Sequence, residues 1–364
     1  MFEQLKHYNT LFRKQIFVFM AIFCSIFSTK AATAEPMSIL FIGNSYTHMN
    51  NMPGIFEKIA IKAGKNVHVE KNTQSGASFR VHAGREDMYA AINSRKWDYV
   101  ILQGFSREFT HSPEYIDTAT MPFLMQITDS IYKNNPCTNI MFYMTWGYES
   151  GFSEDPAVDS FDKMADSISR GYQYVSDIFN VPIVPVGKVW KLVKSKSSID
   201  LYAPDRAHPS INGSFLIATT FFEAIFNQST EKVFTSTVKS ENATVIKRQV
   251  HSFISKNRDI YKLNENRFEL KPYITAKGEY VLELAASYIC AQEYKWEFGD
   301  GNSSVKPTTI HKFKKAGQYK VKLTVVDECG TRYHERIIQY EKPEMPSEKS
   351  PTKPKYNIKN NKKI

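Results

Sequence analysis

Ser45, Asp205 and His208 are the residues whose types and spacing could do chemistry together. A serine hydroxyl is a weak nucleophile until a neighbouring imidazole takes its proton, and the imidazole needs a carboxylate to fix its tautomer and stabilise its charged form. Ser45 stands in Gly43-Asn44-Ser45-Tyr46-Thr47, directly after the apolar run Ser38–Ile42. Asp205 and His208 stand in Asp205-Arg206-Ala207-His208-Pro209, about 160 residues later and just ahead of a helical pattern. Asp and His three apart in a turn can present both side chains in one direction. Each motif alone also reads as ordinary: a serine capping a strand-to-helix turn, and a loop histidine before proline. No Gly-x-Ser-x-Gly occurs, so the nucleophile elbow of the α/β-hydrolases is absent.

These residues need a scaffold that brings position 45 and position 208 to one edge. From Met37 to about Tyr261, short apolar runs alternate with helical patterns. The strand candidates are Ser38–Ile42, Val67–Glu70, Tyr99–Leu102, Ile140–Thr145 and Pro182–Val186. The helical stretches are Pro53–Ala63, Arg85–Asn93, Ile116–Tyr132, Ala157–Ile178, Ile211–Phe226 and Asn242–Ile254. Buried strands alternating with helices predict a three-layer α/β/α parallel sheet, with its site at the C-terminal ends of the strands.

The blocks resemble those of the SGNH, or GDSL-type, hydrolases over residues 37–227. Gly43-Asn44-Ser45 resembles the first block, with Asn44 in place of the more frequent Asp. Asp205-x-x-His208 resembles the last, which implies His208 as general base and Asp205 as its orienting partner. Ser75-Gly76-Ala77 is similar to the second block, implying that the N–H of Gly76, with that of Ser45, belongs to an oxyanion hole. The third block departs from the usual Gly-x-Asn-Asp: this chain has Gln103-Gly104-Phe105-Ser106, similar to a Gln-Gly-x-Ser variant among carbohydrate-directed acetylesterases. Gln103 is the first choice for the missing donor and Ser106 the second. Tyr46, His48, Asn50, Trp146 and Tyr148 are candidate pocket residues, the last two as a sugar-stacking wall or as packing.

After Asn264 the pattern changes to short alternating strands: Tyr280–Leu284, Tyr294–Phe298, Thr309–Phe313, Tyr319–Val326 and Arg332–Tyr340. Trp296-Glu297-Phe298-Gly299-Asp300-Gly301 resembles the signature of a PKD domain, an immunoglobulin-like β-sandwich. In such a sandwich the loops carrying Cys290 and Cys329 share one end, so a Cys290–Cys329 disulfide is expected, with Cys137 remaining a thiol.

The formal net charge of +10, from 47 Lys and Arg against 37 Asp and Glu, sits mainly at the ends. Residues 1–34 hold four basic residues against Glu3, and residues 341–364 hold seven lysines against three glutamates. The middle keeps +3, which gives no reason to invoke nucleic acid. The run Ile16–Phe27, after Arg13-Lys14 and before Ala32-Thr33-Ala34, reads as a signal peptide. Its twelve residues rise only about 18 Å as helix, short of the ~30 Å hydrocarbon core.

The expected organisation is therefore a signal peptide at 1–34, an SGNH-type domain at 35–262, a PKD-like sandwich at 266–341 and a basic disordered tail at 342–364. The expected function is a secreted or periplasmic serine esterase acting on an acylated glycan or other small ester. No cofactor or metal is called for, and the cleaved protein is not expected to be integral to a membrane. The tail is a candidate contact for an anionic polysaccharide. The alternative is a glycan-binding or adhesion protein that keeps the fold without catalysis.

Overall fold

A computed structural model describes residues 35–235, 237–264, 268–274, 280–286, 291–327 and 330–340. The expected signal peptide, the basic tail and the expected Cys290–Cys329 bridge lie outside the described residues.

The first half opens with β1 (Met37–Gly43), the one-turn α1 (Ser45–His48) and α2 (Met52–Lys62). There follow β2 (Val67–Thr73), α3 (Phe79–Ala83), α4 (Glu86–Asn93) and β3 (Tyr99–Leu102). Next come α5 (Pro113–Ala119), α6 (Met121–Asn134), β4 (Asn139–Tyr143), α7 (Phe161–Phe179) and β5 (Ile183–Val184). Three helices complete it: α8 (Val186–Lys196), α9 (Ile211–Phe226) and α10 (Ser240–Asn257).

The five strands form one parallel sheet in the order β2-β1-β3-β4-β5. Ile39, Leu40, Phe41 and Ile42 of β1 are all fully buried, as a strand covered on both faces requires. Phe41 meets Phe221 of α9 edge to face at 5.2 Å, and Tyr143 of β4 meets the same ring at 4.9 Å. The chain leaves β1 toward β2 on one side, and β3 lies on the other. The strand order thus reverses at the end of β1, the place where such sheets hold their ligands. Ser45 stands there.

Two expected boundaries move for identifiable reasons. The expected single helix Ile116–Tyr132 is two helices meeting at Thr120, because Pro122 supplies no N–H and belongs to the first turn of α6. The expected strand Pro182–Val186 ends at Val184, since Pro185 cannot donate to a ladder, and Val186 begins the unforeseen α8.

The remaining strands are β6 (Phe268–Ile274), β7 (Tyr280–Ala286), β8 (Ala291–Glu297), β9 (Ser303–Ser304), β10 (Thr308–Lys312), β11 (Gly317–Asp327) and β12 (Gly330–Tyr340). They build two antiparallel sheets, β10-β7-β6 and β12-β11-β8-β9, of which β6 and β9 were not foreseen. Leu282, Leu284, Trp296, Phe298, Phe313, Val321, Leu323 and Val325 form their core. The alternation Tyr319-Lys320-Val321-Lys322-Leu323 sends its valine and leucine inward, as a half-buried strand should.

Candidate active site

The turn after β1 is held from behind. Gly43 has no side chain because Oε1 of Gln103 and Oγ1 of Thr47 occupy the place: a Cβ there would lie 2.5 Å from each. Gln103 Oε1 accepts from the Asn44 N–H at 2.9 Å and from the Thr47 hydroxyl at 2.8 Å. Asn44 caps α1, its Oδ1 accepting from the Tyr46 N–H at 3.0 Å, and its Nδ2 donates to the carbonyl of Ala77 at 3.1 Å. The first and second sequence blocks are therefore tied by one amide.

Ser45 Oγ lies 2.8 Å from His208 Nε2, and His208 Nδ1 lies 2.5 Å from Asp205 Oδ2. With Nδ1–H directed at the carboxylate, Nε2 is left to accept the serine proton. The other Asp205 oxygen accepts the backbone N–H groups of Ala207 at 3.1 Å and His208 at 3.0 Å. Partial burial pushes the Asp205 carboxyl up. The two N–H groups and the imidazole outweigh it and hold the carboxyl below its ordinary range.

Around these groups lies a cleft of about 500 Å³, lined by Ser45, His48, Met49, Gly76, Phe105, Ser106, Tyr148 and Ala207 among others. Gly76 adopts φ +71°, a left-handed conformation that suits glycine. Neither its N–H nor that of Ser45 has an acceptor among the described residues. Ser106 and Tyr148 share a hydroxyl–hydroxyl bond of 2.7 Å across the cleft wall. His48 bonds Thr73 Oγ1 at 3.1 Å, and burial, Lys71 and His208 lower its pKa.

Two expected site residues fall elsewhere. Gln103 is fully buried beneath the nucleophile turn, and its NH₂ donates to the carbonyl of Gly104, so it offers nothing to the cleft. Trp146 is also fully buried. It lies flat between Tyr46 (4.5 Å) and Trp190 (4.1 Å), so only Tyr148 of the expected sugar wall reaches the cleft. Tyr46 stands edge-on to His208 at 5.3 Å. Asn50 acts as a strut: its Nδ2 donates to the carbonyl of Pro209 at 3.0 Å and to Ser214 Oγ at 2.9 Å, joining the serine and histidine sides.

Three further residues escaped sequence reasoning. Glu108 is buried and accepts the N–H of Phe105 at 2.7 Å and that of Phe79 at 3.1 Å, which links the loop after β3 to the start of α3. Burial raises its carboxyl to about 7, against the pull of those N–H groups. Arg206 pairs with Glu149 and Asp200 on the outer side of the Asp–His turn. His82 sits fully buried with Nδ1 3.1 Å from the Arg85 guanidinium, and burial lowers its pKa to about 4. Among the described residues no group of three or more His, Cys, Asp or Glu is placed to hold a metal, and no helix is long and apolar enough to cross a membrane. The assembled groups are a hydroxyl, its proton acceptor, a carboxylate behind it and two undonated N–H groups in one cleft, which suits acyl transfer.

Comparison with known proteins agrees with this architecture. Residues 275–340 match the PKD domain family. A 37-residue stretch is 51% identical to collagenase ColA of Clostridium perfringens, covering 10% of this chain and 3% of that protein. A crystal structure of a DUF4886 family protein from Bacteroides uniformis superposes with a TM-score of 0.51 at 18% identity, covering 63% of this chain and 97% of that one; the likeness is one of fold. A candidate SGNH hydrolase from Slackia heliotrinireducens is 23% identical with a TM-score of 0.43, over 52% of this chain and 98% of that one. The chain thus carries a stretch, residues 275–340, that matches the PKD domain family, after a parallel α/β fold shared with the DUF4886 family protein.

Proposed function

We propose that this chain is a serine ester hydrolase that removes short acyl groups, O-acetyl above all, from carbohydrate. The observation that carries the reading is the unbroken hydrogen-bonded series from Ser45 through His208 to Asp205 at the edge of an open cleft. Ser45 Oγ attacks the ester carbonyl while His208 takes its proton. The oxyanion of the tetrahedral intermediate is met by the N–H groups of Ser45 and Gly76. Its collapse expels the sugar hydroxyl, which receives the proton from His208, and leaves an acyl-serine. A water activated by the same imidazole then releases the carboxylic acid.

In this mechanism Gln103 supports the nucleophile turn from behind. The hydroxyls of Ser106 and Tyr148 line the same cleft and are the side-chain donors proposed to stand in for the Asn of the usual third block. The mixed lining of Phe105 and Met49 with His48, Ser106 and Tyr148 suits a sugar ring bearing a small ester. The domain limits 35–262 and 266–341 follow the same reading, the second being an appended module.

Hydrolysis of p-nitrophenyl acetate by the wild type and by Ser45→Ala is the direct test. The variant is expected to lose about 10³-fold or more in kcat. Equal rates in the two proteins would reject Ser45 as the nucleophile, and no hydrolysis by either would favour the binding protein. Acetate release from a panel of acetylated polysaccharides then identifies the glycan.

A further inference from the structure

The two residues between Asp205 and His208 carry an arrangement that the triad itself does not need. Arg206 is an L-residue held at φ +60°, a left-handed conformation usually left to Gly, Asn or Asp. Its guanidinium grips both carboxylate oxygens of Glu149, one of them at 2.5 Å through Nη2, and its Nη1 donates to Asp200 Oδ2 at 2.9 Å. The backbone answers in the opposite sense, with the Glu149 N–H donating to the Arg206 carbonyl at 2.9 Å. The Trp146 indole N–H donates to the next carbonyl, that of Ala207, at 3.1 Å. Ala203 donates to the carbonyl of His208 at 2.8 Å. Every carbonyl from Arg206 to His208 is thus fixed from outside the turn, two of them by the loop that follows β4.

We propose that Arg206 and Glu149 are positioning residues that lock the Asp205–His208 turn to the Trp146–Glu149 loop, so that the imidazole and the Tyr148 wall of the cleft are set as one piece. The proposal rests on the reading of Ser45, His208 and Asp205 as the reacting and orienting groups. An exposed ion pair alone would contribute little, but a bidentate guanidinium–carboxylate pair joined to a second carboxylate is the geometry in which such pairs matter. Arg206 and Glu149 are 45% and 28% exposed, so replacing them leaves the core untouched. Lysine at 206 would keep the charge without the planar fork.

The test uses the full chain with p-nitrophenyl acetate, comparing Glu149→Gln, Arg206→Gln, Arg206→Lys and the Glu149→Gln/Arg206→Gln double variant. Each single variant is expected to lose about tenfold in kcat with KM changed less than about twofold, and the double variant no more than the worse single one. In proton NMR spectra the downfield imidazole N–H resonance of the His208–Asp205 bond is expected in the wild type and broadened or lost in Arg206→Gln. Wild-type kcat with an intact resonance in Glu149→Gln and Arg206→Gln would overturn the proposal. So would a loss of kcat with the resonance unmoved, or strictly multiplicative losses in the double variant. Should Arg206→Gln fail to fold, Glu149→Gln carries the same decision. Failure of the underlying reading shows separately, as full activity in Ser45→Ala.

Discussion

The two halves of the candidate site are built by different physics. The turn that carries Ser45 is buried and held by uncharged groups: the Gln103 amide beneath it, the Thr47 hydroxyl beside it and the Asn44 side chain reaching to Ala77. The turn that carries Asp205 and His208 stands in solvent, with the Asp205 side chain half exposed and its outer surface tied by ion pairs to Glu149 and Asp200. A buried hydrogen bond is modest when made and costly when left unmade. A surface ion pair is weak unless geometry or a network strengthens it. Damage to the groups that support the serine turn should therefore read out as lost folding stability, and damage to those that support the histidine turn as lost turnover.

The strongest way to break that contrast is Gln103→Leu. It strands the Asn44 N–H and the Thr47 hydroxyl, and is expected to cost about 2–4 kcal/mol of unfolding free energy, measured by urea denaturation. Unchanged stability would mean that the serine side is not held as described. Glu108 is a buried carboxyl whose hydrogen bonds to Phe105 and Phe79 support the serine side, and it makes the contrast pH-dependent. Its proton is held in the fold up to about pH 7 against an ordinary 4.5, so its contribution is full below 4.5 and is lost as pH rises through 7. Glu108→Gln should remove this loss, leaving the variant more stable than the wild type at pH 8 by up to about 3 kcal/mol. Parallel stability–pH curves for the two proteins would refute it.

Gly43→Ala forces a methyl group against two oxygens and should cost about 1–3 kcal/mol, again by denaturation. The smallest effect belongs to the exposed half. Raising NaCl from 0.05 to 1 M should lower kcat by less than about threefold, with no change in the Gln103→Leu stability deficit. A salt effect on that deficit would erase the distinction between the halves.

How legible each half was in the sequence follows from the same contrast. The central strands of the sheet announced themselves because strands covered on both faces are continuous apolar runs, as in Ile39–Ile42. Ser45, Asp205 and His208 were visible through residue type and their places at the edges of those runs, and the structure brings them within hydrogen-bonding distance. Gln103 was legible as a residue but not in its direction: an amide at the end of a strand can face the cleft or the turn behind it, and only the space left by Gly43 decides. Trp146 misled for a similar reason, since an indole suits a sugar and a core equally well. Arg206 and Glu149 left no signal, because a pair 57 residues apart on two loops has no periodicity to betray it. Glu108 and His82 are buried, and nothing local to either in the sequence shows it. The break between α5 and α6 was written in Pro122 and could have been read.

The aromatic stack behind the cleft has an optical consequence. Trp146 and Trp190 lie parallel within 3° at 4.1 Å, and Tyr46 continues the column from the residue next to Ser45. Indoles so close and so aligned share their electronic excitation, so the pair should dominate the near-ultraviolet circular dichroism of a chain that holds only four tryptophans. Since Trp146 also bonds the carbonyl of Ala207, that signal doubles as a built-in gauge of whether the turn bearing His208 is seated.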